Sequence, residues 1–365
     1  MIKIIPTAIE NLSPYVPGRL IEEVEVEMGI SGMVKLASNE NSLGSSPLAL
    51  AAVEKALPHI FRYGDADSRA LKNALAAKYG FDPAGLVCGN GSSEFILVLA
   101  HGLINPGANA VMSRPSFTLY AKNVQAAAGR AIEAPLTPEY GHDLQSILDK
   151  IDKDTRLVFL DNPLNPTGAY LEAGELTAFY EALPETVILV LDEAYIEFTR
   201  KARPDYGTWL KDSERVVIMR TFSKIYGLAG LRAAYAVMSP QLASALNKIR
   251  QPFNTSLLAQ VGAAAALSDD DFLRRTLNMT WSSLDYYAAE LPAIGLKVYP
   301  TEANFMMAAL PEGRSADEVF QALLRQGVII RSLSSFGLDR HLRFNAGLEA
   351  ERRALVEAFK KVLYS

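Results

Sequence analysis

Lys224 occupies an unusual place for an ammonium group, because it follows an apolar run and a short polar turn. The run at 216–219 (VVIM) is typical of a buried strand, and the turn at 220–223 (RTFS) leads directly into the lysine. A lysine is costly to bury unless it is paired or used chemically. A solvated side chain is the ordinary alternative. Lys224 is therefore a candidate for chemistry if other reactive groups lie beside it.

Polar residues also follow two earlier apolar runs, at the point where each run ends. The run at 157–160 leads into a loop that contains Asn165, and the run at 187–191 leads into Asp192. Taken singly, Asn165-Pro166 is a common turn and Asp192 could cap a helix. In an open α/β sheet, however, ligands bind outside the carboxyl ends of the strands. Repetition on three successive strands therefore favours one shared site with an amine, a carboxylate and an amide.

This combination of an amine and a carboxylate matches what pyridoxal 5′-phosphate requires of a protein. The cofactor needs a lysine for its Schiff base and an acidic partner for its pyridine nitrogen. It also needs a cradle for its phosphate, and GNGSSE at 89–94 supplies a turn before an apolar helix expected at 95–103. A helix N-terminus and the hydroxyls of Ser92 and Ser93 would favour an anion there. Most such turns only cap a helix. This turn, however, occurs in the same chain as Lys224, Asp192 and Asn165, and the combination predicts a pyridoxal-phosphate site.

Short apolar runs alternate with helix-like segments through the middle of the chain and would position these groups. The apolar runs lie at 86–88, 110–112, 157–160, 187–191, 216–219 and 233–237. Helical spacing of apolar residues marks 66–79 and 172–183 between them. This alternation indicates an α/β fold, a large domain with a mostly parallel central sheet flanked by helices.

The last third of the chain has a different order of elements and predicts a smaller α+β domain. Helices are expected at 269–291, 315–326 and 349–363, and strands at 296–299, 304–309, 328–331 and 341–344. Residues 1–30 are punctuated by proline and are expected to wrap onto this domain or onto a partner. We therefore expect a large domain at 35–260, and a small domain built from the N-terminal arm 1–34 and residues 261–365.

Composition narrows the classes of function open to the 365 residues. The formal net charge of −5 gives no support to nucleic-acid binding, which favours a basic face. Cys88 is the only cysteine, which excludes an internal disulfide framework and a thiolate metal cluster. The four histidines are scattered without metal-ligand spacing, and no apolar run is long enough to suggest a membrane span. No signal-like segment opens the chain, so a cytoplasmic protein without metal or membrane partners is expected.

Several longer motifs occur in the order and spacing of a known family. They are SPYVPGR (13–19), VKLASNEN (34–41), RYGDADSRALKNALA (62–76), GNGSSE (89–94), NPLNPTG (162–168), LDEAYIEF (191–198), RTFSKIYGLAGLR (220–232) and HLRFNAG (341–347). On these motifs the chain resembles the histidinol-phosphate aminotransferases, which are fold-type I pyridoxal-phosphate enzymes. The resemblance runs over nearly the whole chain. It implies transfer of an amino group between L-histidinol phosphate and 2-oxoglutarate, a step of histidine biosynthesis, by a homodimer with shared active sites.

The resemblance also implies roles for individual residues in holding the cofactor. Lys224 would form the Schiff base and carry the substrate proton, and Asp192 would pair with the protonated pyridine nitrogen. Asn165 and Tyr195 would hold the phenolic oxygen of the ring, and Phe117 would stack on the ring. The residues placed around the phosphate are Gly91, Ser92, Ser93, Thr221, Ser223 and Arg232.

Further residues would bind the substrate or reach a second subunit. Arg343 would clamp the substrate α-carboxylate with its planar guanidinium. Arg331, Tyr15 and Asn39 would line the end of the site that takes the substrate side chain. Tyr63 would reach the phosphate of the cofactor in the neighbouring subunit, which implies an obligate dimer.

Three positions depart from the family pattern, and all of them bear on the choice of substrate. Gly64 replaces a proline, Leu164 replaces an asparagine, and the FNAG at 344–347 stands where an ending in Thr-Ile-Gly or Thr-Val-Gly is more usual. An aromatic-amino-acid or prephenate aminotransferase shares nearly every motif and is an alternative. A pyridoxal-phosphate decarboxylase is a second alternative. A non-catalytic regulator is the third, but it would need a basic DNA-binding module that the sequence lacks.

Overall fold

The computed structural model describes residues 4–14, 18–212 and 214–364. Within these ranges the strands are, in chain order, β1 (Val34–Lys35), β2 (Leu86–Asn90), β3 (Asn109–Arg114), β4 (Arg130–Pro135), β5 (Thr155–Asp161), β6 (Ile188–Asp192), β7 (Val216–Thr221), β8 (Ala233–Val237), β9 (Lys297–Val298), β10 (Phe305–Ala309), β11 (Val328–Ile329), β12 (Arg331–Ser332) and β13 (His341–Asn345).

The α-helices of the same ranges are α1 (Thr7–Glu10), α2 (Ile21–Met28), α3 (Pro47–Ala56), α4 (Arg69–Tyr79), α5 (Ser92–Leu103), α6 (Leu119–Ala126), α7 (Leu144–Asp149), α8 (Ala173–Ala182), α9 (Gly207–Asp212), α10 (Pro240–Asn247), α11 (Leu257–Ala266), α12 (Asp270–Glu290), α13 (Ala316–Arg325) and α14 (Glu349–Tyr364). Short 3-10 helices occupy Leu57–His59, Pro83–Gly85, Ile196–Phe198, Ala229–Leu231, Pro292–Ile294 and Ser334–Phe336. Among the described residues, no helix is both long and apolar enough to cross a bilayer.

Seven strands form one sheet in the order β2-β8-β7-β6-β5-β3-β4. Strands β3 to β7 run parallel to their sheet neighbours among themselves, whereas β8 is antiparallel to both β2 and β7. The parallel strands are buried on both faces. In β5, Leu157 and Phe159 pack with α5 and α6 on one face, while Val158 and Leu160 pack with α7 and α8 on the other. This sheet, covered by helices on both sides, confirms the predicted α/β fold class.

A four-stranded antiparallel sheet in the order β12-β13-β10-β9 lies in the last third of the chain. Helices α12, α13 and α14 pack on it around a separate hydrophobic core. Strand β1 pairs in parallel with β11, and Val24 of α2 is buried against Leu324 and Ile329. Helix α2 therefore packs against elements of the smaller unit, while the predicted domain bounds stay a prediction.

Three of the differences between the observed and the predicted elements have a clear local cause. Helix α5 begins at Ser92 instead of residue 95, because Gly91 with φ 77° turns the chain directly out of β2. The single strand predicted at 328–331 is divided into β11 and β12, which pair in different sheets. Strand β4 is absent from the prediction, since it is a partly exposed edge strand without a continuous apolar run.

Candidate functional site

The carboxyl ends of β5, β6 and β7 open into a cavity of about 510 Å³. The small sheet closes this cavity through β12 and β13, and the segment 37–40 crosses it. Thirteen of the residues that the sequence proposes line it: Asn39, Ser92, Ser93, Phe117, Asn165, Asp192, Tyr195, Thr221, Ser223, Lys224, Arg232, Arg331 and Arg343. Residues more than 300 positions apart in the sequence therefore share one pocket.

Lys224 follows β7 and extends its amine into this cavity. Its Nζ donates a hydrogen bond to the carbonyl oxygen of Ser38 at 3.1 Å and lies 5.7 Å from the centre of the Tyr195 ring. The pKa of Lys224 is lowered to about 8, chiefly by burial and next by the positive charge of Arg343. A substantial fraction of the amine is therefore neutral, and nucleophilic, near neutral pH.

Asp192 ends β6 and is buried at the floor of the pocket. Its Oδ2 accepts a hydrogen bond from the hydroxyl of Tyr120 at 3.0 Å, and its Oδ1 accepts one from the backbone N–H of Ala194 at 3.2 Å. Burial raises the pKa of Asp192 to about 6, although both hydrogen bonds favour the ionised form. The group is therefore mostly a carboxylate at pH 7, fixed in direction by two donors.

Tyr195 presents a hydroxyl group to the same cavity. The side-chain amide of Asn39 donates to this hydroxyl at 2.9 Å. Burial raises the pKa of Tyr195 to about 12, while Arg343 and the bond from Asn39 act in the opposite direction. Tyr195 is therefore a neutral donor at working pH, held by an amide from the crossing segment.

Small polar side chains gather around Arg232 at one end of the cavity. Arg232 Nη1 donates to Ser223 Oγ at 3.4 Å, and Thr221 Oγ1 donates to the same oxygen at 3.0 Å. A Cβ added to Gly91 would lie 2.1 Å from Arg232 Nη2, so the glycine is required for the guanidinium to lie against the start of α5. The guanidinium, the two hydroxyl groups and the N-terminus of α5 together form a binding site suited to an anion with several oxygens, which we call the phosphate cradle.

Arg343 and Arg331 lie at the opposite end, as direct partners on the antiparallel strands β13 and β12. Arg343 Nη2 donates to the carbonyl oxygen of Ala37 at 3.1 Å, and Nη1 donates to Asn165 Oδ1. Like charges directly opposite each other in a sheet are destabilising. A pair of guanidinium groups facing a cavity is therefore suited to a second anion, separate from the one near Arg232.

Two of the proposed residues are placed differently, and a third lies outside the described residues. Tyr63 lies outside the cavity with 82% of its surface exposed, and its ring stacks on Phe253 with centroids 4.6 Å apart. Gly91 supports the guanidinium of Arg232 from behind. Tyr15 falls outside the described residues, so its predicted contact with substrate stays a prediction.

Two further residues of the pocket floor escaped the sequence analysis. Tyr120, which bonds Asp192, lies three residues after Phe117 on the first turn of α6. Asp161 ends β5, and its Oδ2 accepts the backbone N–H of Asn165 at 2.8 Å. Burial, reinforced by the charge of Asp192, raises the pKa of Asp161 well above its usual range. Both could have been noticed, since Tyr120 follows Phe117 at helical spacing and Asp161 directly precedes the motif at 162–168.

The sequence of the chain is similar to a known protein family and to named members of it. The sequence profile described as "Aminotransferase class I and II" matches residues 31–359. A Carboxydothermus hydrogenoformans protein named "Histidinol-phosphate aminotransferase 2" is 43% identical over 358 residues, with 98% of both chains covered. A Moorella thermoacetica "Histidinol-phosphate aminotransferase" is 42% identical over 358 residues, and the match covers 98% of this chain and 92% of the relative.

Solved structures give the same picture at the level of the backbone. The crystal structure of histidinol-phosphate aminotransferase from Sinorhizobium meliloti, in complex with pyridoxal-5′-phosphate, matches with a TM-score of 0.91 and 31% identity, and the match covers 100% of this chain and 98% of that one. Aspartate aminotransferase from Thermus thermophilus matches with a TM-score of 0.86 at 20% identity, over 99% of this chain and 100% of that one. The second likeness concerns the fold alone.

Proposed function

The chain belongs to the class I and II aminotransferase family, and we propose that it transfers the amino group of L-histidinol phosphate to 2-oxoglutarate with pyridoxal 5′-phosphate as cofactor. The observation that carries the substrate is the likeness, at 40–43% identity over 97–99% of the chain, to proteins that bear the histidinol-phosphate name. The pocket agrees with it, because one cationic end suits a cofactor phosphate and the other suits an anionic substrate.

The residues present fit pyridoxal phosphate on their own chemistry. Lys224 offers a partly neutral amine for the aldehyde, and Asp192 offers a fixed carboxylate for the pyridine nitrogen. The cradle at Gly91 and Arg232, which a Cβ would fill, offers donors for the phosphate. When bound, the cofactor supplies an aromatic ring that takes up the electrons released as the substrate loses its Cα proton.

The protein's own groups would then divide the work of transfer. Asp192, as a carboxylate, favours a proton on the pyridine nitrogen and so strengthens the electron acceptor. Lys224 Nζ, in its neutral form, would accept the proton that leaves substrate Cα and hold it for return to the cofactor-bound product. Asn165 and Tyr195, which both line the cavity, would hold the phenolic oxygen, and Phe117 would cover the ring.

Substrate orientation would fall to Arg343 and Arg331. The fork of Arg343 can bind a carboxylate of 2-oxoglutarate with two parallel hydrogen bonds. Histidinol phosphate has no carboxylate, so its phosphate would use the same pair of cations in the first half of the reaction. Asn39, at the same side of the pocket, and Tyr15 belong to the proposed substrate end.

We further propose a cytoplasmic homodimer. A surface strip at residues 57–63 exposes the apolar side chains of Leu57, Ile60 and Phe61, and Tyr63 with Phe253 extends it. Exposed apolar patches of this kind are typical of protein–protein contacts. A second copy on this face would carry Tyr63 to the neighbouring subunit's phosphate cradle. Mixing a Tyr63→Ala chain with a Lys224→Ala chain tests this, because shared sites predict that the hybrid regains one intact site.

The division into a large domain at 35–260 and a small domain at 1–34 and 261–365 also belongs to the proposal. The seven-stranded sheet lies within residues 86–237 and the four-stranded sheet within residues 297–345, which supports it. Strand β1 pairs with β11 of the smaller unit, so the crossing segment after residue 35 would serve as one of the connections.

The substrate assignment is tested by following half-reactions of the purified holoenzyme with single amino donors. Histidinol phosphate should convert the cofactor's visible absorbance to that of the amino form at a much lower concentration than phenylalanine does. A preference for phenylalanine would replace the assignment by an aromatic aminotransferase. Release of carbon dioxide from an amino-acid donor would indicate a decarboxylase instead.

A further inference from the structure

The segment 37–39 holds functional side chains of the pocket through its own backbone. The carbonyl oxygen of Ala37 accepts a hydrogen bond from Arg343 Nη2 at 3.1 Å. The carbonyl oxygen of Ser38 accepts one from Lys224 Nζ at 3.1 Å. The position of this segment therefore affects both the amine and the guanidinium, and whatever fixes the segment also affects the site.

Asn39 completes the segment in a conformation that needs support. Its φ is 53°, a left-handed value that is uncommon for a residue with a side chain. It is nearly fully buried, and from this conformation its amide donates to the hydroxyl of Tyr195 at 2.9 Å. A strained, buried residue of this kind persists only where its surroundings hold it.

Two side-chain amides from the small sheet provide that support. Asn345 Oδ1 accepts the backbone N–H of Asn39 at 3.2 Å, and Asn304 Nδ2 donates to the carbonyl oxygen of Asn39 at 3.1 Å. The backbone N–H of Asn345 also bonds the carbonyl oxygen of Leu36 at 3.0 Å. Asn345 lies two residues after Arg343 in β13, so both side chains point to the same face of the sheet, toward the segment.

We propose that Asn345 is a positioning residue, which acts through Asn39 to hold the hydroxyl of Tyr195 as a donor toward the phenolic oxygen of the cofactor. The inference rests on the proposed function for the cofactor, and it gives a role to the departure at 344–347 noted in the sequence. Asn345 itself bonds the peptide of Asn39, and Asn39 alone makes the bond to the phenol.

The expected consequence is a change in how the bound cofactor titrates. Without the amide donation from Asn39, Tyr195 becomes a weaker donor, since that bond acts to lower the pKa of its hydroxyl. More negative charge then stays on the phenolic oxygen of the cofactor. The proton on the neighbouring Schiff-base nitrogen is therefore lost only at higher pH. One neutral hydrogen bond of this kind shifts a titration by about half a pH unit.

The test is a pH titration of the visible absorption band of the holoenzyme in a double-mutant cycle. Asn345→Leu, which keeps the volume and loses the acceptor, should move the midpoint upward by about half a pH unit. Asn39→Gly tolerates the left-handed backbone and removes the amide, so it should move the midpoint in the same direction. In the Asn39→Gly background, Asn345→Leu should add nothing, because its route to Tyr195 is gone.

Other outcomes separate the inference from its premise. An unchanged midpoint in Asn345→Leu, or equal shifts with and without Asn39, would overturn the positioning role while leaving the proposed function intact. A wild-type protein without a visible cofactor band would instead remove the proposed function. If Asn345→Leu fails to fold, Asn304→Ala breaks the second bond to the backbone of Asn39, at its carbonyl oxygen, and should shift the midpoint in the same direction. An unchanged midpoint there would also overturn the role.

Discussion

Two pairs of charged residues occupy the ends of the same two strands and behave in opposite ways. Asp192 and Lys224 face the cavity, and neither has the other as a hydrogen-bond partner in the described chain. Glu193 directly follows Asp192, so its side chain lies on the opposite face of the sheet, where it meets Arg220 of β7. Arg220 Nε donates to Glu193 Oε2 at 2.7 Å, and Tyr206 donates to the other carboxylate oxygen at 2.5 Å.

The electrostatics of the two pairs differ accordingly. Burial brings the pKa of Lys224 down to about 8 and that of Asp192 up to about 6, so both charges are weakened. Burial is the largest single influence on Arg220 and opposes its charge, but Glu193, Tyr235 and Glu197 together outweigh burial and raise the pKa of the guanidinium. Asp192 and Glu193 thus belong to a reactive face and a structural face, because adjacent side chains of an extended chain point in opposite directions. Lys224 reaches the reactive face from the turn that follows β7.

The largest effect is expected at the amine of the reactive face. Lys224→Ala should abolish transamination and remove the visible absorbance of bound cofactor, since no other group replaces the amine that binds it. Absorbance spectra and a coupled assay of glutamate formation measure both. Lys361→Ala, on the exposed face of α14, is the matched control and should behave as wild type. Normal turnover in Lys224→Ala would end the assignment of the site.

The carboxylate of the reactive face should affect rate more than binding. Asp192→Asn keeps the shape and the hydrogen bond from Tyr120 but removes the charge that favours a protonated ring nitrogen. We expect kcat to fall about 100- to 1000-fold, a loss typical of one electrostatic group in an active site. Cofactor should still be captured, which absorbance after desalting will show. A variant with full kcat would mean that Asp192 belongs with the structural face.

The lowered pKa of Lys224 predicts a pH dependence for the cofactor-free protein. Below pH 8 the amine is mostly protonated and cannot attack an aldehyde, whereas above pH 8 it is mostly neutral. The rate of recapture of pyridoxal phosphate should therefore rise about tenfold per pH unit below 8 and level off above it. Stopped-flow absorbance measures this rate. A profile that continues to rise to pH 10 would show an ordinary solvated lysine.

Substitutions on the structural face should lower the free energy of unfolding and change kcat only slightly. Arg220→Met leaves the buried carboxylate of Glu193 without its cation, so unfolding in urea should require about 3–5 kcal/mol less free energy. The double variant Glu193→Gln/Arg220→Met removes both charges of the pair and should recover part of that loss, while the buried Glu197 stays in place. If Arg220→Met instead lowers kcat as strongly as Asp192→Asn does, the separation into two faces is wrong.

The sequence could predict the reactive residues because parallel strands bring their carboxyl ends to one edge. Lys224, Asp192 and Asn165 each follow an apolar run, and that rule of sheet geometry is sufficient to group them. The same rule cannot assign Asp192 and Glu193 to different faces, because both follow the same strand. The role of Asp192 at the pyridine nitrogen was implied by the family resemblance.

Contacts made over long separations were beyond the sequence. The bond between Asn39 and Asn345 joins residues 306 positions apart, and no local pattern marks it. Position 345 could be recognised as a departure from the family. What its side chain contacts is seen only in the structure, where β13 lies beside the crossing segment. The bond from Tyr120 to Asp192 likewise joins residues 72 positions apart.

The most direct test of the central claim is to reduce the holoenzyme with borohydride, digest it and locate the attached cofactor by mass spectrometry. Reduction fixes the cofactor to the amine that carries it. The pyridoxyl group should appear once per chain, on the peptide that contains Lys224. Its attachment to another lysine, or its absence from a protein with full activity, would contradict the account.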